Sequence, residues 1–157
     1  MRLCTIGVCA IIFLSAGSAN AGCTSPRTPM KIDLTSMIVD GVIAPATQTF
    51  TIEAGCTEPF HIAIMAAPAK VDGNTVSGFE NTIGYTATAS VGGISTVMAA
   101  SATATSIKKV VSQQTKSGVR GTVPIAVTVS PRPGGHLLPG NYAGQLVVTV
   151  CEKPKDC

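Results

Sequence analysis

Apolar and polar residues alternate along several stretches of this chain. A period of two places successive side chains on opposite faces of an extended backbone, which predicts half-buried β-strands. Valine and threonine are frequent in these stretches, and both residue types favour strands. The alternating runs are Met30–Leu34, Phe50–Ala54, Phe60–Ala66, Ile83–Ala89, Thr122–Val129 and Tyr142–Val150.

Turn-forming residues separate the runs. About seven strands with turns every 8–12 residues are typical of an Ig-like antiparallel β-sandwich rather than of a βαβ fold. The turn-rich segments are Asp72–Asn74, Gly92–Gly93, Ser117–Gly118 and Ser130–Asn141. We therefore expect an all-β chain with one sandwich domain.

Two positions depart from the simple strand pattern. Ile107, Val110 and Val111 lie at helical spacing, which predicts a short helix within residues 106–114. Pro124 interrupts a strand and has no N–H to donate, so we expect it at a sheet edge or a bulge.

The first 21 residues have the pattern of a secretory signal peptide. Arg2 precedes an apolar stretch over residues 3–14, and Ala19-Asn20-Ala21 is a small-x-small cleavage site. The apolar stretch is shorter than the roughly 20 residues that a membrane-spanning helix needs. We expect export and cleavage after Ala21; the alternative is a lipoprotein processed so that Cys23 carries a lipid.

Composition narrows the possible functions. The chain is 12% charged with a net charge of +3, and its hydrophobic content is 45%. Such a composition argues against disorder and against a nucleic-acid partner, which requires clustered basic residues. Aromatic residues make up only 4% of the chain and Trp is absent. A core of small side chains buries little area, so disulfides or a strand from a partner chain should compensate.

Four cysteines remain after removal of the signal peptide, namely Cys23, Cys56, Cys151 and Cys157. An even number in an oxidising compartment predicts two disulfides, and three pairings are possible. There is no C-x-x-C pair, and His61 and His136 stand alone, so we expect no metal site and no cofactor. No catalytic motif is present, and we expect a protein that is not an enzyme.

The run Leu138–Val150, which reads LPGNYAGQLVVTV, resembles the final strand of bacterial chaperone–usher pilins. It is most similar to colonisation-factor type major pilins and to spore coat protein U-like subunits. The resemblance implies that Gly140 and Tyr142 form the turn into that strand. We expect the Tyr142 ring in the core, with its hydroxyl bonded to the backbone.

The alternating stretch Lys31–Asp40 is similar to the N-terminal donor strand of such pilins. The resemblance implies an incomplete sandwich over residues 41–157, preceded by a tail over residues 22–40. Met37 and Val39 are also apolar, so the phase of the alternation after Leu34 stays open. The residues expected to fill a neighbour's groove are Met30, Ile32, Leu34, Ser36 and Ile38.

The partners that the resemblance implies are a periplasmic chaperone, an outer-membrane usher and neighbouring copies of the subunit. The product would be a surface pilus for adhesion or biofilm formation, with an unknown receptor. Because such a contact is head-to-tail and does not close, repetition yields a filament.

The disulfide pairing decides whether the tail is free. A Cys23–Cys56 bond, as in many pilins, would tie residues 24–55 into the chain's own domain, and the stretch would then be its first strand. A Cys56–Cys151 or Cys23–Cys157 bond would leave the tail usable. The alternative function is a self-complete secreted or lipid-anchored Ig-like binding module.

Overall fold

The computed structural model describes residues 22–25, 27, 29–71, 73, 76–103, 106–115, 117–129 and 136–157. The signal peptide expected over residues 1–21 lies outside these ranges. The described residues form strands joined by turns, with one 3-10 turn over Thr35–Met37. The strands are β1 (Cys23–Thr24), β2 (Met30–Asp33), β3 (Ile38–Val39), β4 (Val42–Ile43), β5 (Ala46–Cys56), β6 (His61–Val71), β7 (Thr82–Ile83), β8 (Tyr85–Val91), β9 (Ile94–Ala100), β10 (Lys108–Val111), β11 (Val119–Val129) and β12 (Tyr142–Cys151).

The strands form two antiparallel sheets and one small hairpin. Sheet I has the order β1-β5-β11-β8-β9, and sheet II has the order β10-β6-β12-β2 with β7 paired to β6. Among the described strands, β3 and β4 pair only with each other. The prediction of an all-β antiparallel sandwich is confirmed.

The core lies between the two sheets and follows the alternation in the sequence. On β11, Val123, Ile125 and Val127 are fully buried, whereas Thr122 before them and Pro124 between the first two are exposed. Successive side chains on a strand point to opposite faces, so one face of β11 packs inward and the other meets solvent. The period-two pattern therefore locates the core directly.

The helix predicted near residue 110 is wrong. Lys108–Val111 forms β10, which pairs with Ala63–Ala66 of β6. The Ser112 hydroxyl, next along the chain, accepts the Ile62 N–H at 2.7 Å. So short a segment cannot offset the cost of helix nucleation, whereas the edge of β6 supplies hydrogen-bond partners.

Pro124 lies in the middle of sheet I but at a point where β11 is paired on one side only. It is opposite Thr51 of β5, and the pairing of β11 with β8 begins one residue later, at Ile125. Pro124 therefore lies on an inner strand, one residue beyond the end of the β11–β8 ladder, rather than on an edge strand or at a bulge as expected.

The boundary expected between residues 40 and 41 needs correction. Strand β2 belongs to sheet II, and Ile32, Leu34 and Met37 are part of the buried core. Residues 30–37 thus form part of the sandwich of their own chain rather than a separate tail, and residues 38–40 belong to the β3–β4 hairpin.

Candidate assembly site

The expected donor stretch lies beside the last strand of the same chain. Strand β2 is antiparallel to β12, with Met30 opposite Leu146 and Ile32 opposite Gly144. The Ile32 and Leu34 side chains are completely buried, and Met30 is half-buried. The strand therefore closes the core at this edge of sheet II.

Strand β2 ends in a turn that the alternation does not reveal. The Asp33 carboxylate accepts the Thr35 N–H at 2.9 Å, and the Leu34 N–H donates to the Tyr142 carbonyl at 2.9 Å. Hydrogen bonds from the hydroxyl and then the N–H of Thr35 lower the pKa of Asp33 below its usual 3.8. The Thr35 hydroxyl also accepts the Tyr142 N–H at 3.1 Å.

Because of this turn, the five residues expected to fill a neighbour's groove do not lie on one strand. Ser36 lies exposed in the 3-10 turn, and Ile38 is half-buried in the separate strand β3. Met37 is the residue that enters the core. Because the turn shifts the phase of the alternation, only Met30, Ile32 and Leu34 of the five expected residues lie in or directly beside β2.

The hairpin that follows is joined to the segment that leads into β12. Asp40 and Gly41 have φ values of 53° and 75°, which fits a two-residue turn between β3 and β4. The Gly41 carbonyl accepts the Leu137 N–H at 3.2 Å. The β3–β4 hairpin is therefore held to the segment that leads into β12.

The disulfides are Cys23–Cys56 and Cys151–Cys157, so the expectation of two bonds is confirmed. Cys23 and Cys56 are directly opposite each other where β1 pairs with β5. Strand β2 lies inside the loop that this bond closes. Spacing left three pairings open, and the structure has the one that ties the stretch into its own domain.

Tyr142 lies at the start of β12 with its ring completely buried. Its hydroxyl is 2.9 Å from the Glu80 carbonyl and 3.0 Å from the Leu138 carbonyl, so one proton is shared between two backbone acceptors. Burial raises the pKa of this phenol. Gly140 has a φ of 151°, and a Cβ there would collide with Val71.

Tyr85 has a comparable position, which was not predicted from the sequence. Its hydroxyl donates to the Gln145 carbonyl in the middle of β12 at 3.0 Å. Burial raises the pKa of Tyr85 to about 12. The only signal in the sequence was the inward phase of Tyr85 in its alternating run.

The two histidines lie apart in the fold. His61 Nδ1 is 2.9 Å from the Ser112 carbonyl, and the His136 ring lies 6.4 Å from the Phe79 ring centre. Among the residues that the structure describes, no three His, Cys, Asp or Glu side chains are arranged to hold a metal ion. No helix in the described ranges is long and apolar enough to cross a membrane.

No protein-family model matches this chain, and no curated protein is significantly similar to it.

Proposed function

We propose that this chain is an exported structural subunit of a surface fibre, assembled through a periplasmic chaperone and an outer-membrane usher. The observation that supports the proposal is the position of β2. It is a strand of four residues at the edge of sheet II, next to the last strand, and its Ile32 side chain is completely buried.

Such a strand is suited to exchange between copies. Backbone hydrogen bonds to β12 provide affinity for any extended segment, and alternate apolar side chains fill the space between the sheets. A β2 strand from a neighbouring copy would make the same contacts as the chain's own β2. Exchange therefore needs no new surface, only release of one short strand.

The Cys23–Cys56 bond limits how β2 can leave. The stretch is held at Cys23 on one side and at the start of β5, Ala46, on the other. From Cys23 to Met30 the chain spans at most about 25 Å when fully extended. In the oxidised subunit, β2 would therefore reach a neighbour as a loop anchored at both ends.

Cross-linking across the β2–β12 pair tests the proposal. Lys31 and Gln145 are directly opposite each other and exposed. Chains carrying Lys31→Cys and chains carrying Gln145→Cys are expressed together in the native cell, and surface material is analysed for a bond between them. We expect that bond in the fibres. A Lys31→Cys chain with a Thr128→Cys chain is the control, because Thr128 lies exposed on sheet I.

The doubly substituted chain, Lys31→Cys with Gln145→Cys, tests whether release of β2 is required for assembly. A bond within one chain should lock β2 in place and abolish fibres under oxidising conditions. Fibres that assemble from fully locked chains, or that carry no bond between the two singly substituted chains, would contradict strand exchange.

A second candidate function is a self-complete secreted Ig-like binding module. It is favoured by the Cys23–Cys56 bond together with the pairing of β2 within its own chain. A stable monomer obtained without any co-expressed partner, cross-linked only within the chain, would support it. The Cys23 sulfur is bonded to Cys56, so a lipid on Cys23 would require loss of this disulfide.

A further inference from the structure

The edges of the two sheets differ in charge. The edge strands of sheet II carry Lys31 and Asp33 on β2 and Lys108 and Lys109 on β10. Charged residues on an edge strand prevent it from pairing with another chain. On sheet I, edge strand β9 and residues 46–52 of β5 contain no charged residue. Sheet I therefore lacks the protection that sheet II has.

Both edges of sheet I are open over a similar length. Strand β5 pairs with β11 from Ala46 to Cys56, but with β1 only at Gly55 and Cys56. Within the described ranges, no strand pairs with the outer side of residues 46–54. At the other edge, β9 pairs with β8 over seven residues and has no second neighbour among the described strands.

We propose that residues 46–52 of β5 pair with β9 of a second copy of this chain, so that sheet I continues from one copy into the next. This contact is independent of the strand exchange at β12, which concerns sheet II.

Strand direction is compatible with this contact. From β5 to β11, β8 and β9, each step is antiparallel, so β9 runs opposite to β5. A second copy in the same orientation therefore presents its β9 antiparallel to β5, and the ladder keeps its pattern. Because the two edges are different surfaces, the contact is head-to-tail and leaves one free edge on each copy to bind a further copy.

The side chains at the two edges of sheet I are alike in size and charge, so the two edges can pack against each other. The register places Thr49, Ala126, Thr88 and Val97 in one row across the outer face of sheet I. Every member is small and uncharged. Val97 is 54% exposed at the open edge, and a neighbouring strand would cover it. A second copy supplies both uncharged edges, which is why we assign the contact to it rather than to an unrelated chain.

Substitution by lysine in the middle of each edge tests the contact. Thr49→Lys and Val97→Lys each introduce one charge on an exposed position of β5 and β9. Thr128→Lys is the control, because it adds the same charge to the same face on the central strand β11. The full-length chain is exported to the periplasm, purified with its disulfides intact, and examined by sedimentation velocity over a range of concentrations.

We expect the unsubstituted chain to associate with rising concentration. Each edge variant should raise the concentration for half-association at least about tenfold, while the control stays within about twofold. Thr49→Glu combined with Val97→Lys should restore association, because opposite charges then face each other across the interface between β5 of one copy and β9 of the next.

An unsubstituted chain that stays monomeric at all concentrations, or edge variants that behave like the control, would overturn the proposal. Far-UV circular dichroism establishes that each variant is folded. Failure here is separable from failure of strand exchange, because the Lys31–Gln145 cross-link reports on β12 alone.

Discussion

Strand β2 contributes to the stability of its own domain only if it fills the sandwich in cis. Ile32 is the sharpest probe, because its side chain is completely buried between the sheets. Ile32→Ala removes three carbons, and each buried carbon contributes about 0.8 kcal/mol through transfer from water. The cavity left behind adds to the loss, and such substitutions cost about 2–5 kcal/mol.

We expect Ile32→Ala to lower the free energy of unfolding by about 3 kcal/mol, in the lower half of that range. The reason is that β2 is a short strand at a sheet edge, where the backbone can shift to fill part of the cavity. Urea denaturation of the oxidised monomer, followed by circular dichroism, measures the loss. Lys31→Ala is the matched control, since it changes an exposed neighbour on the same strand.

The control should change the free energy of unfolding by less than about 0.5 kcal/mol. If Ile32→Ala had an effect as small as that of the control, β2 would not be docked in the isolated chain. The assignment of Ile32 to the core of its own sandwich would then be refuted, and the stretch would be a free donor segment.

Two further substitutions probe the start of β12 and the end of β2. Tyr142→Phe removes the hydroxyl that donates to the Glu80 and Leu138 carbonyls. We expect the free energy of unfolding, measured by urea denaturation, to fall by about 1–2 kcal/mol. An unchanged denaturation midpoint would contradict the assigned bonds. Asp33 has a lowered pKa in the folded chain, so its contribution is present above pH 3.8, the usual pKa, and is lost as pH falls through the lower folded pKa. The stability difference between the unsubstituted chain and Asp33→Asn should therefore shrink on acidification below that pH, and a difference that is constant with pH would rule out the bond from Thr35.

The strands were predictable because their signal is local. Val123, Ile125 and Val127 alternate with polar or small residues, and a period of two can serve only a strand with one buried face. The segment 108–111 was not predictable in the same way. Its apolar spacing fits a helix, and only the open edge of β6 makes it a strand.

At the candidate assembly site, too, the local features were predictable from the sequence and the features that depend on distant residues were not. The sequence marked Ile32 and Leu34 as apolar positions of an extended stretch, and both lie in the core. It could not locate the turn at Thr35–Met37, because this turn depends on hydrogen bonds to Tyr142, more than 100 residues away along the chain.

Alternation and turn residues by themselves determined that this chain is an all-β sandwich, since both act between near neighbours in sequence, and the even number of cysteines predicted two disulfides. Tertiary structure decided that Cys23 pairs with Cys56, that β2 lies against its own β12, and that β9 and residues 46–52 of β5 lie at edges of sheet I that no other described strand covers. Those features depend on which distant strands become neighbours, and spacing along one chain carries no information about that choice.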